Sequence, residues 1–247
     1  MGTNFITAQQ VSKSFGTKHV LTDIDLTLPA GTIYGLIGPS GAGKTTLVKS
    51  IMGMEKVDHG TVTVMDAVMP NRQVMAKIGY MAQSDALYET LTARENLTFF
   101  GQLMSVAPKQ LKQTIAYAAN LVNLTKDLDL RVSDYSGGMK RRLSLAIALI
   151  QNPNLLILDE PTVGIDPELR QQIWEELNNL KATGKSILIT THVMDEAERC
   201  DYLMLIRRGI ALAQGTPAEL KAKYQVDSIE QVFLKAGRLQ DADHSNR

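Results

Sequence analysis

A glycine-rich segment at residues 38–46 has the composition of a loop that binds phosphate. It follows the apolar run Ile33–Ile37 and precedes a helical pattern. Glycine permits tight curvature, so backbone N–H groups can point at a polyanion, and the N-terminus of the following helix adds partial positive charge. Lys44 can reach phosphate oxygens, and the Thr45 hydroxyl can ligate Mg²⁺. The residues predicted to bind phosphates are Gly38, Pro39, Ser40, Gly41, Ala42, Gly43, Lys44, Thr45 and Thr46.

Two adjacent acids, Asp159 and Glu160, follow the continuous apolar run Leu155–Leu158. Such a run is typical of a strand buried on both faces, and open α/β sheets bind ligands at the carboxyl ends of their strands. Because neighbouring strand residues point to opposite sides, we expect the two acids to have different roles. Asp159 is suited to hold Mg²⁺, and Glu160 to orient and polarise an attacking water. A solvated strand end is the alternative interpretation.

A third segment, Tyr-Ser-Gly-Gly-Met-Lys-Arg-Arg-Leu at residues 135–143, precedes those acids. Ser136 can cap a helix whose apolar stripe continues through Leu143 and Ile147. Gly137 and Gly138 leave backbone N–H groups bare at the helix start, which predicts a second anion site. Taken alone, the segment is better explained as an ordinary capped helix with a basic face.

Together with the phosphate-binding loop and the two acids, this segment resembles the signature motif of the ATP-binding cassette (ABC) ATPases. Four further residues match the family's order along nearly the whole chain. The resemblance implies that Phe15 stacks on adenine, that Gln83 contacts Mg²⁺ and water, that Asp166 belongs to the D-loop, and that His192 contacts the γ-phosphate. Without the resemblance, Phe15 would be a strand-end residue, Gln83 a surface residue and His192 a structural one.

The signature segment departs from the commonest family pattern. Tyr135 stands in place of Leu and Met139 in place of Gln, while Ser136, Gly137 and Gly138 are intact. This version is similar to that of ABC-2-type exporters, which move drugs, lipids or polysaccharides outward, and the end of the chain at residues 228–234 is similar to that subgroup too.

The resemblance implies an ATPase subunit that converts ATP and water to ADP and phosphate, with Mg²⁺, to power transport. Two copies, expected as a homodimer, would pair head to tail and enclose two ATP molecules. The phosphate-binding loop, Asp159, Glu160 and His192 would come from one chain, and Ser136, Gly137 and Gly138 from the other. A membrane permease would be the further partner. An import ATPase is the main alternative; a soluble ABC ATPase is less favoured, and a nucleotide kinase or GTPase less still.

The pattern of elements predicts an α/β domain with an inserted helical lobe. The resemblance implies that its core is a P-loop nucleotide hydrolase with a mixed sheet. We expect one domain over residues 1–247, with the core at about 1–83 and 153–225, the lobe at about 84–152, and a short C-terminal helix and polar tail at 226–247. Predicted strands are Ile24–Leu28, Ile33–Ile37, Thr61–Met65, Ile78–Ala82, Leu155–Leu158, Ser186–Thr190 and Tyr202–Ile206. Predicted helices include Lys44 to about Gly53, Thr92–Met104, Pro108–Val122 and Pro167–Ala182. The tail from Asp241 is expected to fray.

Composition narrows the class of protein. Lysine plus arginine and aspartate plus glutamate each number 26 in 247 residues, which disfavours nucleic acid as the principal partner. The single cysteine, Cys200, fits a reducing compartment. No apolar run approaches the roughly 20 residues of a membrane span, and Met1–Ile6 has neither a basic n-region nor a myristoylation pattern. We therefore expect a cytoplasmic protein, and the resemblance implies that the permease holds it at the inner face of the membrane.

An apolar stretch follows Gln83 and includes Leu87, Tyr88, Leu91, Phe99 and Phe100. The family resemblance implies that a cytoplasmic helix of the membrane subunit docks beside Gln83, and docking needs an exposed apolar patch. Packing of Phe99 and Phe100 inside the chain is an equally good alternative.

Overall fold

A computed structural model describes residues 4–83 and 86–245, so the predictions that rest on Met1–Thr3 lie outside the described residues. The chain divides into two compact units. The first unit runs up to Met75 and resumes at Leu188, and the second extends from Ala76 to Ile187. We describe each unit by itself.

An antiparallel sheet in the first unit has the strand order β2-β1-β4-β5. Buried residues such as Ile6 and Ala8 alternate with more exposed ones along β1, as expected for a sheet with one face in the core. Its strands are β1 (Asn4–Phe15), β2 (Lys18–Pro29), β4 (His59–Val64) and β5 (Ala67–Val68).

A second sheet in this unit is mixed and carries the phosphate-binding loop. Its order is β10-β9-β3-β8; β3 and β9 are parallel, and β9 and β10 are antiparallel. All residues of β3 are buried, which explains its uninterrupted apolar sequence. The strands are β3 (Ile33–Ile37), β8 (Ser186–Thr191, of which the last four residues belong to this unit), β9 (Tyr202–Arg207) and β10 (Ile210–Gly215).

The first unit also contains α1 (Lys44–Ile51), α2 (Arg72–Met75), α7 (Met194–Ala197), α8 (Pro217–Tyr224) and α9 (Ile229–Ser245). Helix α9 continues past Asp241, where the polar sequence predicted fraying. Asp241 accepts hydrogen bonds from Arg207 at 3.0 Å and Arg208 at 3.1 Å, and Arg207 also donates to the Gly237 carbonyl at 3.1 Å. These contacts fasten α9 to the hairpin formed by β9 and β10.

The second unit pairs β6 (Ile78–Met81) and β7 (Leu155–Asp159) in parallel. Gly79 allows α5 to approach the sheet closely, because a Cβ at this position would lie 2.3 Å from the Ala148 carbonyl oxygen. The helices of this unit are α3 (Ala93–Leu103), α4 (Pro108–Leu121), a 3₁₀ turn (Val132–Asp134), α5 (Gly137–Leu149) and α6 (Pro167–Ala182).

Strands and helices together confirm the predicted α/β class with a mixed sheet. Within residues 4–83 and 86–245, no helix is both long enough and apolar enough to span a bilayer.

Candidate functional site

The phosphate-binding loop is shaped by glycines that no other residue could replace without displacement of the chain. A Cβ on Gly38 would lie 2.2 Å from the Ile206 carbonyl oxygen, and one on Gly43 would lie 2.8 Å from that of Val20. Gly43 also has a φ of 106°, a left-handed conformation that disfavours residues with a Cβ. The loop therefore lies between β9 and the start of β2, and its main chain continues directly into α1.

Lys44 begins α1 and is buried. Its ammonium donates to the Gly38 carbonyl at 2.7 Å and to the Pro39 carbonyl at 3.2 Å, so it spans the inside of the loop. The first turn of α1 contains no acidic residue, and Thr45 and Thr46 are half-buried there. A cation, a helix N-terminus and two hydroxyls thus occupy one concave segment, which is the chemistry of an anion site.

His192 lies beside this loop. Strand β8 neighbours β3, and the Gly38 N–H donates to the Thr191 carbonyl at 3.3 Å. The imidazole of His192, which follows directly, is exposed. The structure thus brings His192 next to the first residue of the phosphate-binding loop, and its contact with the γ-phosphate stays a prediction.

Phe15 ends β1, and its side chain is 48% exposed, so a face of the ring is available to a ligand. The ammonium of Lys13 lies 5.1 Å from the ring centroid, in the range of a cation–π contact. The same ammonium contacts Glu55 at 2.9 Å and the Lys56 carbonyl at 2.7 Å. The pKa of Lys13 is raised, chiefly by the hydrogen bond to Glu55.

Asp58 fixes the chain next to Phe15. One carboxylate oxygen accepts the Ser14 N–H at 2.7 Å and the other lies 3.4 Å from the Lys13 ammonium. The Ser14 hydrogen bond is the main reason that the pKa of Asp58 lies below its usual range. Lys13 and Asp58 were not identified from the sequence, because their positions give no sign that they meet.

The two predicted acids of the second unit are both buried. Strand β7 ends at Asp159, and Glu160 has a φ of 56°, so the strand alternation used to assign them different sides stops at Asp159. Burial raises the pKa of the Tyr80 phenol, and the negative charge of nearby Asp159 raises that pKa further. A left-handed glutamate at the end of a buried strand is unusual for a residue with a Cβ, and such conformations concentrate at functional sites.

Arg141, on α5, contacts the main chain at the ends of β6 and β7. Its guanidinium is buried and donates to the Asp159 and Glu160 carbonyls. It also donates to the Ala82 carbonyl at 2.8 Å and to the Gln83 carbonyl at 2.9 Å. From the sequence, Arg141 was expected on a basic helix face, and its contacts with the strand ends were not predicted. A usable signal existed, because positions 141, 145 and 148 share one helix face and two of them are apolar.

Gln83 and Asp166 are both exposed. Gln83 follows β6, and its carbonyl is held by Arg141 while its side chain faces solvent. Asp166 caps α6, accepting the Leu169 N–H at 3.0 Å, with Pro167 in the first helical position.

Ser136 caps α5 as predicted, accepting the Met139 N–H at 3.2 Å. Within the part of the chain that the structure describes, no atom outside the local chain lies within 4 Å of where a Gly137 Cβ would be, and the nearest to a Gly138 Cβ is the Gly164 carbonyl oxygen at 3.2 Å. The first turn of α5 contains no acidic residue. The helix start is thus open and electrically suited to an anion.

The contacts of Tyr135 account for one departure from the usual signature, in which leucine occupies this position. Its ring is buried and its hydroxyl donates to the Asp127 carbonyl at 2.7 Å. A leucine would fill the space without this hydrogen bond, so the tyrosine ties the signature segment to the turn before it.

Aromatic rings of α3 cluster with Tyr88 of the segment before it. Tyr88 and Phe99 meet edge to face at a centroid distance of 4.9 Å, and Phe99 and Phe100 at 5.3 Å. Tyr88 is 47% exposed and Phe99 39% exposed, whereas Phe100 turns into a mainly apolar cavity of about 180 Å³. The cavity is lined by Tyr80, Met81, Ala82, Ala86, Leu87, Phe100, Met104, Ser144 and Ile147.

Asn96 holds Tyr88 in this cluster. The buried amide accepts the Tyr88 N–H at 2.9 Å and donates to the Tyr88 carbonyl at 3.0 Å. Phe100 thus lines a partly open apolar cavity, while Tyr88 and Phe99 remain largely at the surface, and docking of a membrane subunit there stays a prediction.

The chain is similar in sequence to known transport proteins. A family model described as ABC transporter matches residues 21–163. The Nod factor export ATP-binding protein I of Rhizobium johnstonii is 46% identical over 213 residues, covering 85% of this chain and 68% of that protein. The protein of the same name from Rhizobium meliloti is 46% identical over 210 residues, covering 84% and 63%. The match thus spans about two thirds of the length of these relatives.

The fold is also found in solved structures. An ATP-binding subunit of an ABC transporter superposes with a TM-score of 0.88 at 25% identity, covering 94% of this chain and 99% of that one. A dimeric bacterial ABC transporter cassette superposes with a TM-score of 0.80 at 22% identity, covering 85% and 98%, a likeness of fold alone.

Proposed function

The chain belongs to the ABC transporter family, as an ATP-binding subunit that hydrolyses ATP to drive transport, and we propose that the transport it drives is export. The named relatives are export ATP-binding proteins, which supports this direction. The signature segment with Tyr135 and Met139 supports the ABC-2-type subgroup. The cargo class that this subgroup implies is a drug, a lipid or a polysaccharide.

We assign the chemistry to residues as follows. Phe15 stacks on adenine, the loop Gly38–Thr46 binds the phosphates, and Lys44 neutralises charge on the β- and γ-phosphates. Glu160 orients and polarises the attacking water, while His192 and Gln83 contact the γ-phosphate and the water. Catalysis then consists of positioning and charge neutralisation for in-line attack.

The donor atoms present suit Mg²⁺. The Thr45 hydroxyl, the Gln83 amide oxygen and an Asp159 carboxylate oxygen are hard oxygen ligands of the kind that this ion prefers. Bound together with ATP, Mg²⁺ neutralises charge on the phosphates.

Two copies of the chain are proposed to act together, with ATP between them. The signature residues Ser136, Gly137 and Gly138 of one copy would face the nucleotide held by the other, and Asp166 would lie at the same junction. The open N-terminus of α5 supports this assignment, since it can accept an anion that its own chain does not supply.

The membrane subunit is proposed to dock on Tyr88, Phe99 and Leu87, beside Gln83. The support is an exposed aromatic surface held in place by Asn96. The protein would thereby be located at the cytoplasmic face of the membrane. We also propose that residues 84–152 form the helical lobe of the family, inserted in a core of residues 1–83 and 153–225, with residues 226–247 as the C-terminal helix and tail.

The observation that carries the hydrolytic proposal is the buried Glu160 in a left-handed conformation after β7. Glu160→Gln keeps the shape of the side chain but cannot accept a proton from water. Hydrolysis should fall about 10²–10³-fold while ATP binding survives, because general-base catalysis contributes on that order.

Phosphate release, ATP binding and size-exclusion chromatography with ATP and Mg²⁺ would test this assignment. The Glu160→Gln variant should accumulate as an ATP-bound dimer. Normal turnover, or loss of ATP binding, contradicts the role given to Glu160. Export itself is tested by measuring ATP-dependent uptake of the cargo into inverted membrane vesicles that contain the permease. Glu160→Gln should abolish this uptake.

A further inference from the structure

Arg141 contacts two segments of the proposed catalytic machinery at once. Its Nη2 and Nε atoms lie 2.8 and 3.2 Å from the Glu160 carbonyl oxygen, and Nη2 also donates to the Asp159 carbonyl. Its Nη1 atom donates to the carbonyls of Ala82 and Gln83. A guanidinium offers N–H donors in a rigid planar fork, so these carbonyls are held in a fixed arrangement.

The burial of Arg141 makes this arrangement specific. The residue is 7% exposed, and its charged end reaches the strand termini. Buried cationic groups are costly without partners, and here the charge lies against several carbonyl dipoles. Any shift of either strand end would weaken these hydrogen bonds.

Glu160 is the residue that most needs such support. Its φ of 56° is disfavoured for a residue with a Cβ and persists only where the surroundings determine it. Two N–H groups of Arg141 hold the carbonyl of Glu160 itself. The guanidinium therefore fixes the peptide plane after Glu160 and helps to hold the backbone from which its side chain extends.

The same helix begins at the signature segment. Arg141 lies five residues after Ser136, so the two are separated by roughly 7.5 Å along one rigid helix. We propose that Arg141 is a positioning residue that transmits the state of the signature end of α5 to Glu160 and Gln83 of the same chain. Binding of the partner's nucleotide at Ser136 would shift α5, and Arg141 would carry that shift to the carboxylate of its own site.

This inference rests on the roles proposed for Ser136 and Glu160. Its consequence is that each site becomes competent for hydrolysis only when the signature segment of its own chain is engaged by the other site. The two ATP molecules would then be coupled through α5 and not only through the surfaces that meet between the copies.

Arg141→Lys, with Arg142→Met as a matched control, tests the inference. Lysine keeps the charge but lacks the fork, so it cannot hold both strand ends. Arg142 is the next residue, and its guanidinium contacts the Val122 and Asn123 carbonyls at 3.3 and 3.0 Å, away from the strand ends. We expect kcat of Arg141→Lys to fall by about 10²-fold, the loss typical of a small misplacement of catalytic groups, with KM for ATP within about threefold. Arg142→Met should remain near wild type.

A second readout separates positioning from general destabilisation. Because closure precedes the step that Arg141 controls, Arg141→Lys should accumulate as an ATP-bound dimer on size-exclusion chromatography, as Glu160→Gln does. A protein that is merely less stable would show less dimer and a lower melting temperature. If Arg141→Lys proves poorly folded, Arg141→Gln serves as the second variant. Its planar amide can still donate hydrogen bonds, so it should retain part of the wild-type kcat.

The outcomes are distinguishable from failure of the hydrolytic proposal. Normal turnover by Glu160→Gln would contradict the role of Glu160 on which the inference rests, whatever the activity of the Arg141 variants. An inactive Glu160→Gln together with wild-type kcat in both Arg141 variants would overturn the inference alone. Loss of ATP binding or of dimer formation by well-folded Arg141 variants would overturn it too.

Discussion

The backbone N–H of Gly209 donates to the carbonyl oxygen of Ala42 at 2.9 Å, which joins the turn between β9 and β10 to the phosphate-binding loop. Gly209 in turn accepts the Thr22 N–H at 2.9 Å. A glycine has to occupy this position, because its φ is 76° and a Cβ would lie 2.3 Å from the Val20 carbonyl oxygen. The shape of the loop therefore depends on a residue distant in sequence.

Gly209→Ala should weaken ATP binding by displacing this turn from the loop. The clash is with backbone, so relief requires movement of β2 or of the β9–β10 hairpin. We expect a loss of stability of about 1–3 kcal/mol and a clear rise in the Kd for ATP. Urea denaturation and equilibrium binding of a fluorescent ATP analogue measure the two effects.

Gly184→Ala is the matched control for that variant. Gly184 has a φ of 90°, but among the described residues no other atom lies within 4 Å of the position of a Cβ. It should lose stability from strain alone and leave ATP affinity unchanged. Equal effects of the two substitutions on ATP affinity would show that Gly209 acts only through backbone strain.

Lys44→Ala should abolish both ATP binding and hydrolysis, because it removes the cation that spans the inside of the loop. Lys49→Ala is the control, since Lys49 lies on the same helix but is exposed near its end. Nucleotide binding and phosphate release on both purified variants suffice. Near-normal turnover by Lys44→Ala contradicts the assignment of the phosphate-binding loop.

The sequence predicted the elements that carry strong local signals. Helix α3 begins after Thr92, whose hydroxyl accepts the Glu95 N–H while Glu95 accepts the Thr92 N–H, and the predicted ends Thr92 and Met104 are its two caps. Helix α6 has its predicted bounds because Pro167 opens it and Gly184, with a φ of 90°, lies just beyond its C-cap.

Other features depend on tertiary contacts and were missed. Strand β1 is bulged at Gln10. A φ of 49° and shifts in register there break the alternation of buried and exposed residues that marks a strand. The role of Arg141 and the left-handed backbone of Glu160 arise from hydrogen bonds between segments far apart in sequence. Helical spacing could have placed Arg141 on a partly apolar face, but it does not show which carbonyls the guanidinium meets.

Tyr135→Phe tests the contact that distinguishes this signature segment. Loss of the hydrogen bond to the Asp127 carbonyl should cost about 1 kcal/mol of stability at neutral pH. Burial, followed by the charge of Asp127, raises the pKa of Tyr135 from 10.0 to about 12. Folding therefore favours the neutral phenol, and this contribution to stability is present below pH 10 and is lost as pH rises from 10 to about 12.

The pH dependence supplies a check that does not rely on the size of the mutational effect. Phenylalanine cannot ionise, so the difference in unfolding free energy between wild type and Tyr135→Phe should shrink above pH 10. Urea denaturation of both proteins across the alkaline range measures it. A difference that stays constant to pH 12 would show that the hydroxyl has the same environment folded and unfolded.

Tyr88→Asp should separate ATP hydrolysis from attachment to the membrane subunit. The ring is 47% exposed and packs edge to face on Phe99, so an aspartate would place a charge on the proposed docking surface without opening the core. Because Asn96 holds the backbone of Tyr88 and not its side chain, the segment should keep its conformation. Folding and basal ATPase activity should therefore be retained, whereas co-purification with the permease and ATP-dependent transport should be lost. Leu130→Asp, at a residue that is 49% exposed in the same unit, is the control for adding one negative charge. Thermal melting verifies folding, and retained attachment by well-folded Tyr88→Asp and Leu87→Asp would place the docking surface elsewhere on the chain.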